Sequence, residues 1–343
     1  MEMPYLVSLG ENVPVTRQIT LASRPIGLPT DENFTIKEVE VGEVAPGQVG
    51  VELVHISVDP YLRGRMNDAK SYVPPFSVGG PIQSGAIARV VSSRAEGIEE
   101  GDLLTGIFDW QESQVVNPAG YRKLDATGIS PTAYLGILGM PGLTAYAGLF
   151  YIADAKEGET IFVSGAAGAV GSAVGQMAKI KGLTVIGSAG GPQKVSRLIE
   201  LGFDKALDYR GGDIKAQLMD AAPDGIDIYF DNVGGDHLIA ALEASNDFAR
   251  FALCGSISEY NLTERSQGAW NLFRAVQRRI KLQGFIVTDF MDRSRGFYEE
   301  VVPWIQEGKL KFDETVVKGF ENTPSAFLGL FSGSNTGKMI VTL

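Results

Sequence analysis

The chain has 343 residues, 44% apolar and 21% charged, an ordinary globular composition that is long for one core and natural for two domains. A formal charge of −11 gives no general attraction for nucleic acid or anionic membrane, so any phosphate ligand needs a local basic cluster. One cysteine, Cys254, excludes an internal disulfide, and with only His55 and His237 beside it a Cys/His metal site is excluded as well.

The N-terminus lacks a basic start followed by an apolar core, which reads as a cytoplasmic protein without a secretory signal. Residues up to about 125 predict short strands at 34–41, 49–57, 82–92, 102–110 and 112–116. Turns such as Ala45-Pro46-Gly47 and Gly79-Gly80-Pro81 separate them, which describes an all-β, barrel-like domain. The uncharged stretch 126–153 is long enough to test as a membrane span. Pro131, Pro141, Gly136, Gly139, Gly142 and Gly148 interrupt it, which suits helices buried between domains.

From residue 160 the pattern becomes strand and helix in alternation, with strands expected at 160–164, 184–188, 206–209, 226–231, 249–254 and 281–285. This predicts a parallel, doubly wound sheet of about six strands. The last forty residues carry strand-like runs at 316–320 and 338–341 that resemble the first domain, so the C-terminus is expected to return to it. Between the first strand and its helix, Gly165, Gly168 and Gly171 fall three apart, although Ala166 replaces the first glycine of the full G-x-G-x-x-G pattern. A strand entering a tight bend ahead of a helix start suits a pyrophosphate, making Gly165, Ala167, Gly168, Ala169, Val170 and Gly171 candidate dinucleotide contacts.

At the end of the second strand a carboxylate would bind a ribose 2′-hydroxyl, yet the sequence there is Gly187-Ser188-Ala189-Gly190-Gly191. Lys194 and Arg197 follow within two turns, and a cation with loop N–H groups suits a 2′-phosphate, so NADP(H) is the expected cofactor.

The order β domain, Rossmann domain and C-terminal return, with VDPYLRGRM (58–66), SYVPPF (71–76), GMPGLTAYAGL (139–149), GAAGAVGSAVGQ (165–176), FDNVGG (230–235), CGSISEYN (254–261) and GKMIV (337–341), is similar to the zinc-independent branch of the medium-chain dehydrogenase/reductase superfamily. That branch includes the leukotriene B4 dehydrogenase/prostaglandin reductase, alkenal double-bond reductase and curcumin reductase group. The resemblance implies an α/β protein with a GroES-like β-barrel catalytic domain (1–128, completed by 302–343) and a Rossmann NADP-binding domain (129–301). It also implies a homodimer joined through edge strands of the Rossmann sheet. Lys194 aligns with the family's 2′-phosphate lysine and Tyr209 with a tyrosine near the adenosine end. Ser188 and Gly190 fit as loop donors, Asn232 approaches the nicotinamide side, and Asn335 resembles a C-terminal cofactor contact. The zinc-dependent relatives carry cysteine and histidine ligands in the first domain, where this chain has Val58-Asp59-Pro60 and Gly79-Gly80-Pro81, so no metal is expected.

Reduction of a C=C conjugated to a carbonyl puts hydride on the β-carbon and charge on the oxygen, which a neutral tyrosine donor can stabilise. Tyr260 follows the fifth strand at the carboxyl edge where open α/β sheets bind ligands, and the resemblance singles out the same residue. Tyr61 and Tyr72 match first-domain tyrosines and read as pocket wall, packing or chemistry. The family's use of the nicotinamide ribose 2′-hydroxyl as a proton relay leaves turnover possible without Tyr260. Arg63 reads as a carboxylate anchor or as an ion pair with Asp59. Phe76, Trp110 and 285–287 are candidates for an apolar pocket, while His55 and Cys254 read as packing. The expected activity is NADPH-dependent reduction of a hydrophobic enal or enone, with quinone reduction as the alternative in the same architecture and a non-catalytic cofactor-binding scaffold as the alternative of another class.

Overall fold

The structure is a computed structural model that describes residues 14–124, 128–264 and 266–343. Its C-terminal half is built on six strands: β1 (Thr160–Val163), β2 (Thr184–Ala189), β3 (Lys205–Asp208), β4 (Ile226–Asp231), β5 (Ser245–Leu253) and β6 (Lys281–Gly284). All neighbours run parallel in the order β3-β2-β1-β4-β5-β6. Such strands are covered on both faces, which is why they are written as continuous apolar runs such as Ile161-Phe162-Val163, each fully buried. The sheet reverses its winding between β1 and β4, the place where doubly wound folds open a ligand crevice.

The covering helices are α1 (Met140–Ala147), α2 (Ala169–Ile180), α3 (Pro192–Glu200), α4 (Ile214–Ala221), α5 (Gly235–Ala244), α6 (Phe273–Arg278) and α7 (Ser294–Gln306). The uncharged stretch ahead of β1 folds as a short 3-10 turn, α1 and a π-turn, with Ala133, Leu138, Ala145 and Leu149 fully buried. Its first residues, 126 and 127, lie outside those described, as does the 125–127 segment beside the expected 128/129 domain change. No helix among the described residues is long and apolar enough to cross a membrane. At the other expected boundary α7 runs through 301 and 302 unbroken, so the chain leaves this layer only after Gln306.

The N-terminal half forms a seven-stranded sheet that also takes in Glu314–Lys318 and Lys338–Thr342, the latter antiparallel to Val49–Ser57. A helix, α8 (Thr323–Ser332), joins those two late strands. Val15–Leu21, which hydrophobic pattern alone does not mark, pairs with Phe34–Glu40 to form a separate ribbon. Trp110 is fully buried in this half's core, and its indole N–H donates to Ser84 Oγ at 2.7 Å. It is therefore no pocket wall.

Candidate active site

Gly165 has φ +59°, a left-handed conformation that turns the chain sharply out of β1. Gly168 caps α2, and a Cβ at Gly171 would lie 2.4 Å from the Gly165 carbonyl oxygen, so helix and turn touch backbone to backbone. The first-turn N–H groups of Ala169, Val170 and Gly171 have no preceding helical carbonyl to reach. A pyrophosphate would accept from them and lie at the positive end of the helix dipole. The turn is supported from the other domain, because Gly337 N–H donates to the Ala167 carbonyl oxygen at 2.8 Å.

β4 ends beside this turn. Asn232 donates its side-chain amide to the Ser164 carbonyl oxygen at 2.8 Å, which holds it at the switch point. The adjoining Asp231 carboxylate accepts from Tyr229 Oη at 2.7 Å, Gly234 N at 2.8 Å, Val233 N at 2.9 Å and Ser164 Oγ at 3.2 Å. Burial raises its pKa against the pull of those donors. Asp231 thus shapes the 231–234 bend, a role visible in the sequence only as the acid of the FDNVGG run.

At the far end of the turn, Lys194 Nζ donates to the Gly333 carbonyl oxygen at 2.8 Å and Arg210 Nη2 to that of Ser332 at 3.0 Å. Neither cation has a carboxylate partner among the described residues, and burial followed by the charge of Arg210 lowers the Lys194 pKa. A Cβ on Gly190 would lie 2.7 Å from Tyr209 Oη and 2.9 Å from Arg210 Nε, so loop, tyrosine and arginine form one cluster. Arg210 is the cation that helical spacing after β2 does not find, since it follows β3. Arg197 stands outside the cluster: it pairs with Asp313 at 2.8 Å and Glu200 at 2.7 Å, which draws it away. Ser188 lies within β2 rather than on the loop, and its hydroxyl is fully buried without a partner among the described residues. Asn335 donates its amide to the Gly337 carbonyl oxygen at 2.9 Å, bracing the strand start that touches the turn.

Near the carboxyl end of β5 the Tyr260 hydroxyl oxygen accepts from Ser256 N–H at 3.4 Å, and its phenolic proton has no acceptor among the described residues. Burial raises the Tyr260 pKa, with Cys254 and Tyr72 among the groups that add to it. Tyr61 is likewise pushed up, by burial and then by Asp59, and both Tyr61 and Tyr72 feel Arg65. All three phenols are therefore neutral donors at pH 7. Arg65 also stacks over Phe76, 4.0 Å from the ring centroid.

Arg63 does not pair with Asp59. It is buried and donates to Asn261 Oδ1 at 3.0 Å, Asn67 Oδ1 at 2.7 Å and the Gly27 carbonyl oxygen at 2.8 Å, tying the 58–66 loop to the Tyr260 segment. With its donors so engaged it offers no free fork to a substrate carboxylate. Cys254 is no nucleophile at neutral pH, since burial and then Asp231 push its thiol up to about 12. A groove of about 550 Å³ opens elsewhere, on the barrel side between Arg17, Glu38, Glu52 and Leu343, away from these groups.

A switch-point crevice with a glycine turn, a bare cation pair and neutral phenols defines a pyridine-nucleotide oxidoreductase. Residues 17–124 match the family described as the N-terminal domain of oxidoreductase, and 169–307 the family described as zinc-binding dehydrogenase. The chain is 42% identical to the NADPH-dependent curcumin reductase of Escherichia coli (strain K12), covering 97% of this chain and 98% of the relative. It is also 42% identical to the NADP(+)-dependent 2-alkenal reductase of Nicotiana tabacum, over 95% and 96% of the two chains. The crystal structure of CurA from Vibrio vulnificus in complex with NADPH superposes with a TM-score of 0.91 at 41% identity, covering 95% of this chain and 98% of that one. The chain belongs to the zinc-independent medium-chain dehydrogenase/reductase group and is an NADP-dependent oxidoreductase. Among the described residues no group of three His, Cys, Asp or Glu side chains comes together to hold a metal ion.

Proposed function

We propose that this protein reduces the α,β C=C bond of hydrophobic enals and enones, with NADPH as the hydride source and no metal. What supports the reading is a Lys194–Arg210 cluster without a carboxylate partner among the described residues, together with a Tyr260 hydroxyl that accepts from Ser256 N–H and donates to none of them. NADPH supplies a hydride to the β-carbon when bound. Tyr260 donates to the carbonyl oxygen as it becomes an enolate, a contribution of about 2 to 4 kcal/mol in a dry site. The α-carbon then takes its proton from Tyr260, from the ribose hydroxyl or from water. Tyr61 and Tyr72 line the substrate side, Asn232 stands at the nicotinamide side, and Lys194, Tyr209 and Arg210 receive the 2′-phosphate end.

In this reading 1–128 with 307–343 form the catalytic domain, 129–306 the cofactor domain, and the protein is cytoplasmic. It is also a homodimer. The edge strand β6 has no partner on its outer side among the described residues, and the neighbouring Trp270, Phe273 and Val276 are exposed by 72%, 68% and 67%.

The deciding experiment follows loss of NADPH absorbance with trans-2-nonenal, with NADH in parallel, and identifies the product. A saturated aldehyde formed with NADPH preferred is the expected result. No consumption of either coenzyme with enals or enones would overturn the reading, and turnover with quinones alone would replace it by quinone reduction.

A further inference from the structure

Gly337 and Lys338 are consecutive, yet they reach two different segments, the glycine turn ahead of α2 and the loop that starts at Val58. Gly337 has φ +67°, forms a parallel bridge with Gly168 and donates its N–H to the Ala167 carbonyl oxygen at 2.8 Å. A Cβ there would lie 1.9 Å from the Asp313 carbonyl oxygen, so the backbone contact with the phosphate turn needs glycine. The next side chain points the other way. Lys338 Nζ donates to the Val58 carbonyl oxygen at 2.7 Å and the Met339 carbonyl oxygen at 3.1 Å, and pairs with Asp59 Oδ1 at 3.0 Å. Both partners are sealed from solvent, with side chains 4% and 8% exposed.

Asp59 starts the loop that carries Tyr61. Its carbonyl oxygen accepts from Leu62 N at 3.2 Å to begin the single helical turn Leu62–Arg65, and its second carboxylate oxygen accepts from Ser57 Oγ. A buried ammonium with three oxygen acceptors is held in one geometry, because any departure leaves a charge without compensation in an apolar interior. Two adjacent residues therefore fix where the phosphate turn stands relative to the Tyr61 loop.

We propose that Lys338 is a positioning residue, which through Asp59 sets the Tyr61-bearing loop in register with the dinucleotide turn and so shapes the enone side of the crevice. This rests on the reductase reading. It assigns Lys338 no contact with substrate or cofactor. Its mark is an effect on substrate binding at unchanged cofactor affinity, which a residue serving stability alone does not produce.

Lys338→Met alone strands Asp59, with Glu314 also close enough to feel the lost charge, and such a variant can fail to fold. Two other variants carry the test. Asp59→Asn/Lys338→Met removes both charges, and Asp59→Glu keeps them while lengthening the carboxylate by one methylene. Each is assayed for NADPH Kd by fluorescence, for KM and kcat with trans-2-nonenal, and for deuterium exchange of the 60–66 amides. The expected result is NADPH Kd within twofold of wild type, KM raised at least fivefold with a smaller change in kcat, and faster exchange at 60–66. Folded variants with wild-type KM and wild-type exchange would overturn the proposal, as would weakened NADPH binding with KM unchanged. If the wild-type protein turns over no enone, the reductase reading falls, and exchange at 60–66 still decides whether Lys338 holds the loop.

Discussion

Lys194 donates its ammonium to the carbonyl oxygen of Gly333 at 2.8 Å, so the cation that follows the second strand's glycine loop in sequence is held by the end of a helix in the other domain. That end is the negative pole of α8, and it stands in for an anion without neutralising the charge. A 2′-phosphate would replace the carbonyl with a full negative charge. A charge-assisted hydrogen bond of this kind contributes about 1.5 to 3 kcal/mol, which corresponds to roughly 10- to 100-fold in affinity. Lys194→Ala should raise the NADPH Kd by that factor and leave NADH binding unchanged, with Arg210→Ala acting in the same direction. Titrations with both coenzymes check this, and an equal loss for NADH would remove Lys194 from the 2′-phosphate.

Tyr260→Phe removes a hydroxyl whose oxygen accepts from Ser256 N–H and whose proton has no acceptor among the described residues. Loss of one donor to a developing enolate should lower kcat by about 10²-fold, with residual turnover carried by other proton sources. NADPH affinity should stay as in wild type if the phenol serves the substrate as proposed. Stopped-flow hydride transfer separates the chemical step from product release, and an unchanged rate of that step would make Tyr260 a wall residue only.

The parallel sheet is legible in the sequence because each of its strands is covered on both faces, so Ile161-Phe162-Val163 and its neighbours appear as unbroken apolar runs. Glycine spacing marks the phosphate turn for the same local reason. What stays hidden depends on partners far along the chain. Val15–Leu21 places Gln18 inside, where its amide meets Gln111 at 2.6 Å, and nothing local announces that a glutamine will be buried. Arg63 looks destined for the nearby Asp59, yet that carboxylate is taken by Lys338 from the other end of the chain and Arg63 turns to Asn261. Arg197, read with Lys194 as a cation for a 2′-phosphate, is captured by Asp313, and Arg210, to which the sequence reading assigns nothing, stands beside Lys194 instead.

Gly171→Ala should damage stability and cofactor binding together. The new methyl would meet the Gly165 carbonyl oxygen at 2.4 Å and Ala166 Cα at 2.7 Å, and neither is a flexible side-chain end. Overpacking of this kind costs about 1 to 3 kcal/mol and moves the turn whose N–H groups would receive a pyrophosphate. Thermal melting with and without NADPH checks it: the variant should melt several degrees lower, and the coenzyme should restore less stability than in wild type. A normal melting temperature would mean that the turn can shift at no cost.

Acid sensitivity should trace to His237. Burial lowers its pKa to about 4 from an ordinary value of 6.5, and its ring stacks on Phe162 with centroids 6.3 Å apart, its Nε2 buried without a partner among the described residues. A base with a depressed folded-state pKa binds its proton more readily when unfolded. Stability is therefore unaffected above pH 6.5, falls as the pH drops through that value, and levels off below pH 4. One pKa unit is worth about 1.4 kcal/mol, so the loss at pH 5 is about 2 kcal/mol. His55 shifts in the same direction through burial and adds to it. His237→Phe keeps an aromatic face toward Phe162 and has no proton to gain. Urea unfolding at pH 7.5 and pH 5 should show a smaller drop for this variant than for wild type, and an equal drop would place the sensitive group elsewhere.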